Sequence, residues 1–374
     1  MAKYLFGDLV REVKEKVDRN NNPYEYYIAG DHMDTDELHL LRRGIFEGSD
    51  VGPAFIRIFK PGQVLYGSRR TYLRKVAVAD FEGITANTTF VLESKDESIL
   101  LQRLLPFIMQ SERFVQYSIK RSKGSTNPYV LFSDLADYEV ELPNIETQKE
   151  LAELLWAMDS VKMSYNKLIT ATDELVKSQF MEQFGSREKG CYCTLEECCV
   201  SVTGGSTPSM KREDYYGGDV PFIKSGDVKA DYVSSGALWL TQRALDETTA
   251  RYVPTGTVIV VTRSGILKHN LPVAITENPV VINQDLKAFE PKTEFLPQYL
   301  AWAIRSKEDV LLSKTRAMTV DNIESRELYE IPVMIVNIEE QEQFAAFVRQ
   351  SDKSKFELEK ALAELTATYK RIIA

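Results

Sequence analysis

The feature that most constrains this chain is that it repeats itself once. Ile145-Glu146-Thr147-Gln148 returns 193 residues later as Ile338-Glu339-Glu340-Gln341, each after a Leu-Pro or Ile-Pro step (Leu142-Pro143, Ile331-Pro332). Pro61-Gly62-Gln63-Val64-Leu65, with Arg69 seven residues past the glycine, returns as Thr255-Gly256-Thr257-Val258-Ile259 with Arg263. A period this long is too large for a solenoid, so it means two copies of one domain-sized unit. The 374 residues supply the length for two or three folding units, each with its own core.

Both copies end in a long helix. In the first, apolar or mostly apolar residues recur at Leu151, Leu154, Met158, Val161, Tyr165, Leu168, Thr172 and Leu175, which reads as an a/d seam. The second gives Phe344, Phe347, Ser351, Ser354, Leu358, Ala361, Leu365, Thr368 and Ile372 in the same register. Asn144 and Asn337 stand where N-caps belong, the latter with Glu340 three residues on as a capping box. Some 40 residues at about 1.5 Å each make a rod of about 60 Å. Ser351 and Ser354 weaken the seam and mark a place for another binder. The expected organisation is a globular unit over 1–143, a helix over 144–184, a second unit over 185–336 and a second helix over 337–374. Strand-like runs (54–59, 63–66 and 75–79, then 220–224, 257–262 and 271–276) and helical runs (99–117 and 296–306) make each unit α/β. The fold class expected is α/β: two domains in a pseudo-twofold repeat, separated by two long antiparallel coiled-coil helices.

Apolar residues at 44% and charged residues at 27% place the chain among globular proteins. No apolar run approaches the roughly 18 residues of a membrane span, and Met1-Ala2-Lys3 opens no signal-peptide core, so a cytoplasmic location and no membrane contact are expected. All four cysteines (Cys191, Cys193, Cys198, Cys199) fall within nine residues, which suits a reducing compartment. Their spacing is wrong for the common zinc knuckles, and they read as small buried hydrophobes.

Catalytic signatures are few. There is no G-x-G-x-x-G, Walker A, G-x-S-x-G or H-E-x-x-H run, and His32, His39 and His269 offer little to a metal or a general base. An enzyme is disfavoured, and no catalytic residue, cofactor or metal is expected. Asp285-Leu286-Lys287 is half of a nuclease carboxylate-lysine pattern without its partner acid. Asn22-Pro23-Tyr24 and Asn127-Pro128-Tyr129 resemble the Asn-Pro-Pro-Tyr loop of amino-methyltransferases but lack the second proline.

The charge pattern points to recognition instead. The net charge of −9 argues against nonspecific coating of nucleic acid. Yet 57–79 carries Arg57, Lys60, Arg69, Arg70, Arg74 and Lys75 without an acid, and 251–276 carries Arg251, Arg263 and Lys268 without one. Guanidinium, hydroxyl, amide and aromatic groups on loop tips hold phosphates and read base edges. The candidate DNA contacts are therefore Ser68, Arg69, Arg70, Tyr72, Lys75, Asn87, Lys123 and Ser125 in the first copy. In the second they are Thr207, Lys211, Lys224, Ser225, Arg263, Ser264, Lys268, His269, Gln284 and Arg316, with Asn283 as a further amide.

Gly204-Gly205-Ser206-Thr207-Pro208-Ser209, followed by Tyr215-Tyr216-Gly217-Gly218-Asp219-Val220-Pro221-Phe222-Ile223-Lys224-Ser225-Gly226-Asp227-Val228, resembles the start of a target-recognition domain in specificity (S) subunits of type I restriction-modification systems. The resemblance covers the whole chain, although the first copy has no Gly-Gly-x-Thr-Pro loop between Asp8 and Gly52. It implies a noncatalytic reader of a split, asymmetric site in double-stranded DNA, one recognition domain for each half. It implies helices that act as a ruler and dock two methyltransferase subunits, to which restriction translocase subunits can be added. S-adenosylmethionine would be bound by those methyltransferases, not by this chain. A rod of about 60 Å caps the half-site separation at roughly 17 base pairs. The alternative is a recognition subunit for another modification or defence enzyme, such as a type II system with a separate S chain.

Overall fold

A computed structural model of the chain describes residues 2–18, 21–49, 51–185, 190–316 and 322–374, without the side chains of Thr315 and Arg316. The side chain of the expected contact Arg316, and the residues Ala317, Met318 and Thr319 that follow it, thus lie outside what is described. The chain forms two compact units, Met1–Asn166 with Glu359–Ala374, and Lys167–Leu358. Each takes half of each long helix, so the units divide inside the helices and not at their ends.

The first unit holds three small sheets. Ala2–Leu5 pairs antiparallel with Glu139–Leu142. An antiparallel sheet runs in the order Val10–Glu12, Thr89–Ser94, Val64–Gly67, Val76–Val78. A mixed sheet runs Gly44–Ile45, Tyr26–Ile28, Gly83–Ala86, Phe55–Phe59, with its two central strands parallel. The expected helical stretch 99–117 is broken: Ser111 ends the helix Leu105–Gln110 and, by accepting from the Phe114 amide at 3.2 Å, caps the next, Glu112–Arg121.

The second unit repeats this topology. Tyr192–Thr194 pairs with Pro332–Met334. One sheet runs Cys199–Gly204, Leu286–Pro291, Val258–Val261, Val273–Thr276, with Tyr232–Val233 added in parallel at the edge. The other runs Leu238–Leu240, Tyr216–Ile223, Val280–Ile282, Tyr252–Val253, again with a parallel central pair. The shared Gly signature has a physical cause. Gly62 and Gly256 adopt φ of 86° and 79°, and their amides donate to Ala79 and Thr276 at 2.8 Å, closing the same turn before the same strand.

The long helices are Ile145–Phe180 and Ile338–Ile373, 36 residues and about 54 Å each. The first ends sooner than the sequence suggests, in a π turn over Met181–Gly185. Asn144 and Asn337 cap them, accepting from Thr147 and Glu340 at 2.9 and 2.8 Å. Four positions past each cap, Gln148 and Gln341 are buried and make matching bonds to backbone alone. Gln148 takes the Leu101 amide and gives to Ile99 and Pro143, while Gln341 takes Leu296 and gives to Glu294 and Val336.

The helical seam lies one residue from where it was expected. Leu151, Met158, Tyr165 and Thr172 do face inward to varying degrees, but the alternate positions are Leu155, Lys162, Ile169 and Val176. Leu154, Val161, Leu168 and Leu175 are about half exposed instead (49, 44, 51 and 53%). The second helix shows the same slip: Val348 and Tyr369 are buried, Ser354 is exposed, and Ser351 is buried. In the first unit Leu155 and Met158 pack with Tyr369, Leu365 and Ile372. In the second, Phe180 and Phe184 meet Phe344 edge-on at 5.3 and 5.6 Å. Each unit thus pairs the opposite ends of the two helices.

Candidate nucleic-acid interface

In the first unit, backbone bonds draw three loops into one tip. Ser68 donates its amide to Thr88, Val130 donates to Ser68 at 3.0 Å, and Arg70 donates to Pro128 at 2.6 Å. Arg69 and Lys123 both bridge to Tyr129. The turn between, Thr71–Leu73, is flanked by Arg70 and Arg74 in the left-handed region, at φ of 51° and 52°. Such conformations cost roughly 1–3 kcal/mol in a residue with a Cβ and are retained where the surroundings impose them.

This geometry sorts the expected contacts. Arg69, Arg70, Tyr72, Asn87 and Ser125 are exposed. Ser68 is buried and gives its hydroxyl to the Thr88 carbonyl at 2.6 Å, so it builds the tip and does not face outward. Lys75 donates to the Gly30 carbonyl, and Lys123 pairs with Asp134 at 2.7 Å. The rest of the basic window is structural: Arg57 is buried against Glu12, Lys60 pairs with Glu15, and Arg74 is held by Asp36, Glu112 and the Gln110 carbonyl. Tyr129, absent from the sequence-based set, is 39% exposed between Arg69 and Lys123.

The second unit assembles an equivalent tip. Thr262 and Arg263 donate their amides to Asp285, Ile323 donates to Thr262, and Arg263 bridges to Asn322. The glycine-rich loop joins through Ser206, whose amide donates to Ile282, and through the Thr207 hydroxyl, which donates to Gln284. A Cβ on Gly205 would lie 2.2 Å from the Asn283 and Ile282 carbonyl oxygens, so only glycine permits this approach. Arg263, Lys268, His269, Gln284, Thr207 and Lys211 are exposed, and Ser225 is half-buried. Ser264 accepts from the Ile266 amide at 3.4 Å and starts the turn Gly265–Lys268. Lys224 is half-buried, its amide bound by Asp227 at 2.9 Å. Asn283 is buried and donates to Asp285 at 2.8 Å, so its amide is unavailable to a ligand.

The carboxylate-lysine pair and the cysteines lie in the second unit. Asp285 is held by Asn283, and Lys287 donates to the Tyr329 hydroxyl at 3.3 Å. Cys198 and Cys199 are buried, and burial pushes both thiols up, while Cys191 is exposed and Cys193 half-buried. No helix among the described residues is long and apolar enough to cross a membrane.

Comparison with known proteins bears on these tips. The model of the type I restriction modification DNA specificity domain matches residues 10–172 and again 192–366. The specificity subunit of the EcoR124I/EcoR124II type I restriction enzyme of Escherichia coli is 29% identical over 152 residues, 40% of this chain and 38% of that protein. That of the MjaIX enzyme of Methanocaldococcus jannaschii is 31% identical over 156 residues, 40% of this chain and 35% of that protein. The matches thus span under two fifths of these two relatives. The HindI specificity subunit of Haemophilus influenzae is 21% identical over 82% of its length and 81% of this chain. In fold, the chain resembles a solved structure concerned with assembly and conformational transition of the type I system (TM-score 0.59, 17% identity, 100% of this chain and 96% of that one). It also resembles the S subunit from M. genitalium (TM-score 0.53, 15% identity, 100% and 94%).

Proposed function

The chain belongs to the family of type I restriction-modification DNA specificity proteins, and from that premise we propose that it is the sequence-reading subunit of a DNA-modifying complex. In this reading it is noncatalytic and works in the cytoplasm, and each unit reads one half of a split site in double-stranded DNA. The observation that carries the reading is the pair of equivalent tips, each presenting exposed arginine from the loop that follows the same strand. Arg69, Arg70, Asn87, Arg263 and Gln284 supply the fork and amide geometries that read guanine and adenine edges. Lys268, His269, Lys211, Tyr72, Thr207 and Ser125 serve the phosphate backbone. Lys75, Lys123, Lys224, Ser225 and Ser264 shape the loops, and Ser68 locks one of them.

The long helices form the antiparallel, pseudo-twofold spacer of this reading. About 54 Å limits the half-site separation to roughly 16 base pairs. The exposed aliphatic positions support docking of two methyltransferase subunits: Leu154 and Val161 in the first unit, Leu168 and Leu175 in the second. Ala157, Ser164, Ala171 and Ser178 are exposed between them. Large and small residues alternating every three and four positions make a second seam for partner helices. Restriction subunits join through the methyltransferases, which bring S-adenosylmethionine.

The test is to co-express the chain with a methyltransferase encoded beside it, in a host lacking both, and to map adenine methylation across the genome. A split motif that requires both chains is the expected result. A folded, bound methyltransferase with no methylation would overturn the reading.

A further inference from the structure

In the first unit the loop between Tyr26–Ile28 and Gly44–Ile45 returns to the long helix, and three side chains meet there. His39 Nε2 lies 2.6 Å from Asp159 Oδ2, and the Glu37 carboxylate completes a group whose donor atoms all lie within 4.8 Å of one another. Among the described residues this is the one such group of histidine, cysteine and carboxylate donors. We propose that Glu37, His39 and Asp159 form a zinc-class divalent metal site that staples this loop to the long helix.

The donor set fits such an ion. One imidazole nitrogen and two carboxylate oxygens suit zinc, at about 2.0–2.2 Å each, with water in the fourth tetrahedral position. Seating the ion between Nε2 and Oδ2 opens their 2.6 Å separation by under about 1 Å, which a half-exposed histidine on a loop accommodates. Two features hold the donors ready. Glu37 Oε1 accepts the His39 amide at 3.0 Å, fixing that carboxylate beside the ring, and Trp156 packs edge-on against the imidazole at 6.1 Å. Asp159 is 1% exposed. The nearest cation, Lys162, is 3.8 Å from Asp159 Oδ1 and donates instead to the Asp36 carbonyl at 3.2 Å.

The duplication shows that the fold does not require these donors. Asp352 and Lys355 follow Asp159 and Lys162 by the same 193 residues. His39 pairs in parallel with Val78, as Tyr232–Val233 pairs with Val273–Thr276 in the second unit, yet no histidine or glutamate stands there. The second copy closes the same joint with the Arg305–Asp231 ion pair at 2.7 Å. The imidazole and the Glu37 carboxylate are thus additions particular to the first copy.

The experiment needs neither DNA nor a methyltransferase, so its outcome is separate from that of the proposed function. The full chain is stripped with a chelator, titrated with Zn²⁺ and then with Co²⁺, and followed by metal analysis after gel filtration, by absorption spectra and by thermal unfolding. The expected result is about one zinc per chain, a raised unfolding midpoint, and a cobalt spectrum without a thiolate charge-transfer band. Glu37→Gln, on a loop and compatible with folding, weakens binding by at least ~10-fold, and His39→Ala abolishes it. A Cys191→Ser/Cys193→Ser variant keeps its zinc. Loss of zinc in that variant, a thiolate band, or no zinc retained by the wild-type chain would each overturn the site.

Discussion

Ser68 and Arg69 are neighbours with opposite fates, and the difference is set by a loop twenty residues away. The Ser68 hydroxyl is bound by the Thr88 carbonyl, while Arg69 turns outward beside Tyr129. Ser68→Ala is expected to lower stability by ~1 kcal/mol through a lost buried hydrogen bond, with little change in DNA affinity. Arg69→Ala and Arg70→Ala should each cost ~1–3 kcal/mol of binding free energy where they read a base, with stability held. Denaturation and binding isotherms on the same preparations separate the two effects. The sequence showed which windows were basic, but not which cations the fold had already engaged: Arg74 meets Asp36 and Glu112, and Lys75 meets the Gly30 carbonyl, partners 38 to 45 residues distant. A second residue-level expectation concerns Asp352. Desolvation raises its carboxyl to about 6, reinforced by Asp231 and opposed by Arg305 and Lys355. Its folded value exceeds the unfolded one, so the folded state holds the extra proton and stability falls as pH rises between about 4 and 6. Asp352→Asn should therefore stabilise the chain by about 1–2 kcal/mol at pH 8 and hardly at all at pH 4, as chemical denaturation at both values will show.

At the level of the helices, the sequence pointed to the heptad and missed its register by one position. Leu154 stands beside Leu155, Leu168 beside Ile169 and Leu175 beside Val176, so either alignment is apolar at three places. The fourth decides wrongly, because the true seam carries Lys162 where the exposed alignment carries Val161. Lys162 is tolerated there because its ammonium reaches the Asp36 carbonyl while its stem packs along the helix. The two faces are separable by substitution. Leu155→Ala should destabilise the chain by ~2–5 kcal/mol as a core truncation. Leu154→Lys or Leu168→Lys should leave the unfolding midpoint within about 1 °C and abolish methyltransferase retention on gel filtration. Loss of stability in the lysine variants would show that the exposed face is part of the folded core.

For the molecule as a whole, the duplication was the most legible property, because the caps and the buried glutamines recur at an offset of 193 residues and the turn glycines at 194. What the sequence hid is the asymmetry between copies: one joint carries His39, the other Arg305, and neither lies in a recognisable motif. If each unit reads one half-site, as proposed, their specificities are separable. Arg69→Ala should relax one half of the methylated motif and leave the other intact, Arg263→Ala should do the reverse, and genome-wide methylation maps of the two variants will show it. The glutamine joint bears on how a chain of the proposed function would acquire a new target. Gln148 and Gln341 grip only main-chain amides and carbonyls, and every foreign unit of the same topology offers those groups whatever its side chains are. Recombination within the codons of the first helix therefore leaves this grip intact, while the packing of 359–374 on the first unit has to be met anew. On the proposed function, a single such exchange would change one half of the recognised site and leave the other half as it was.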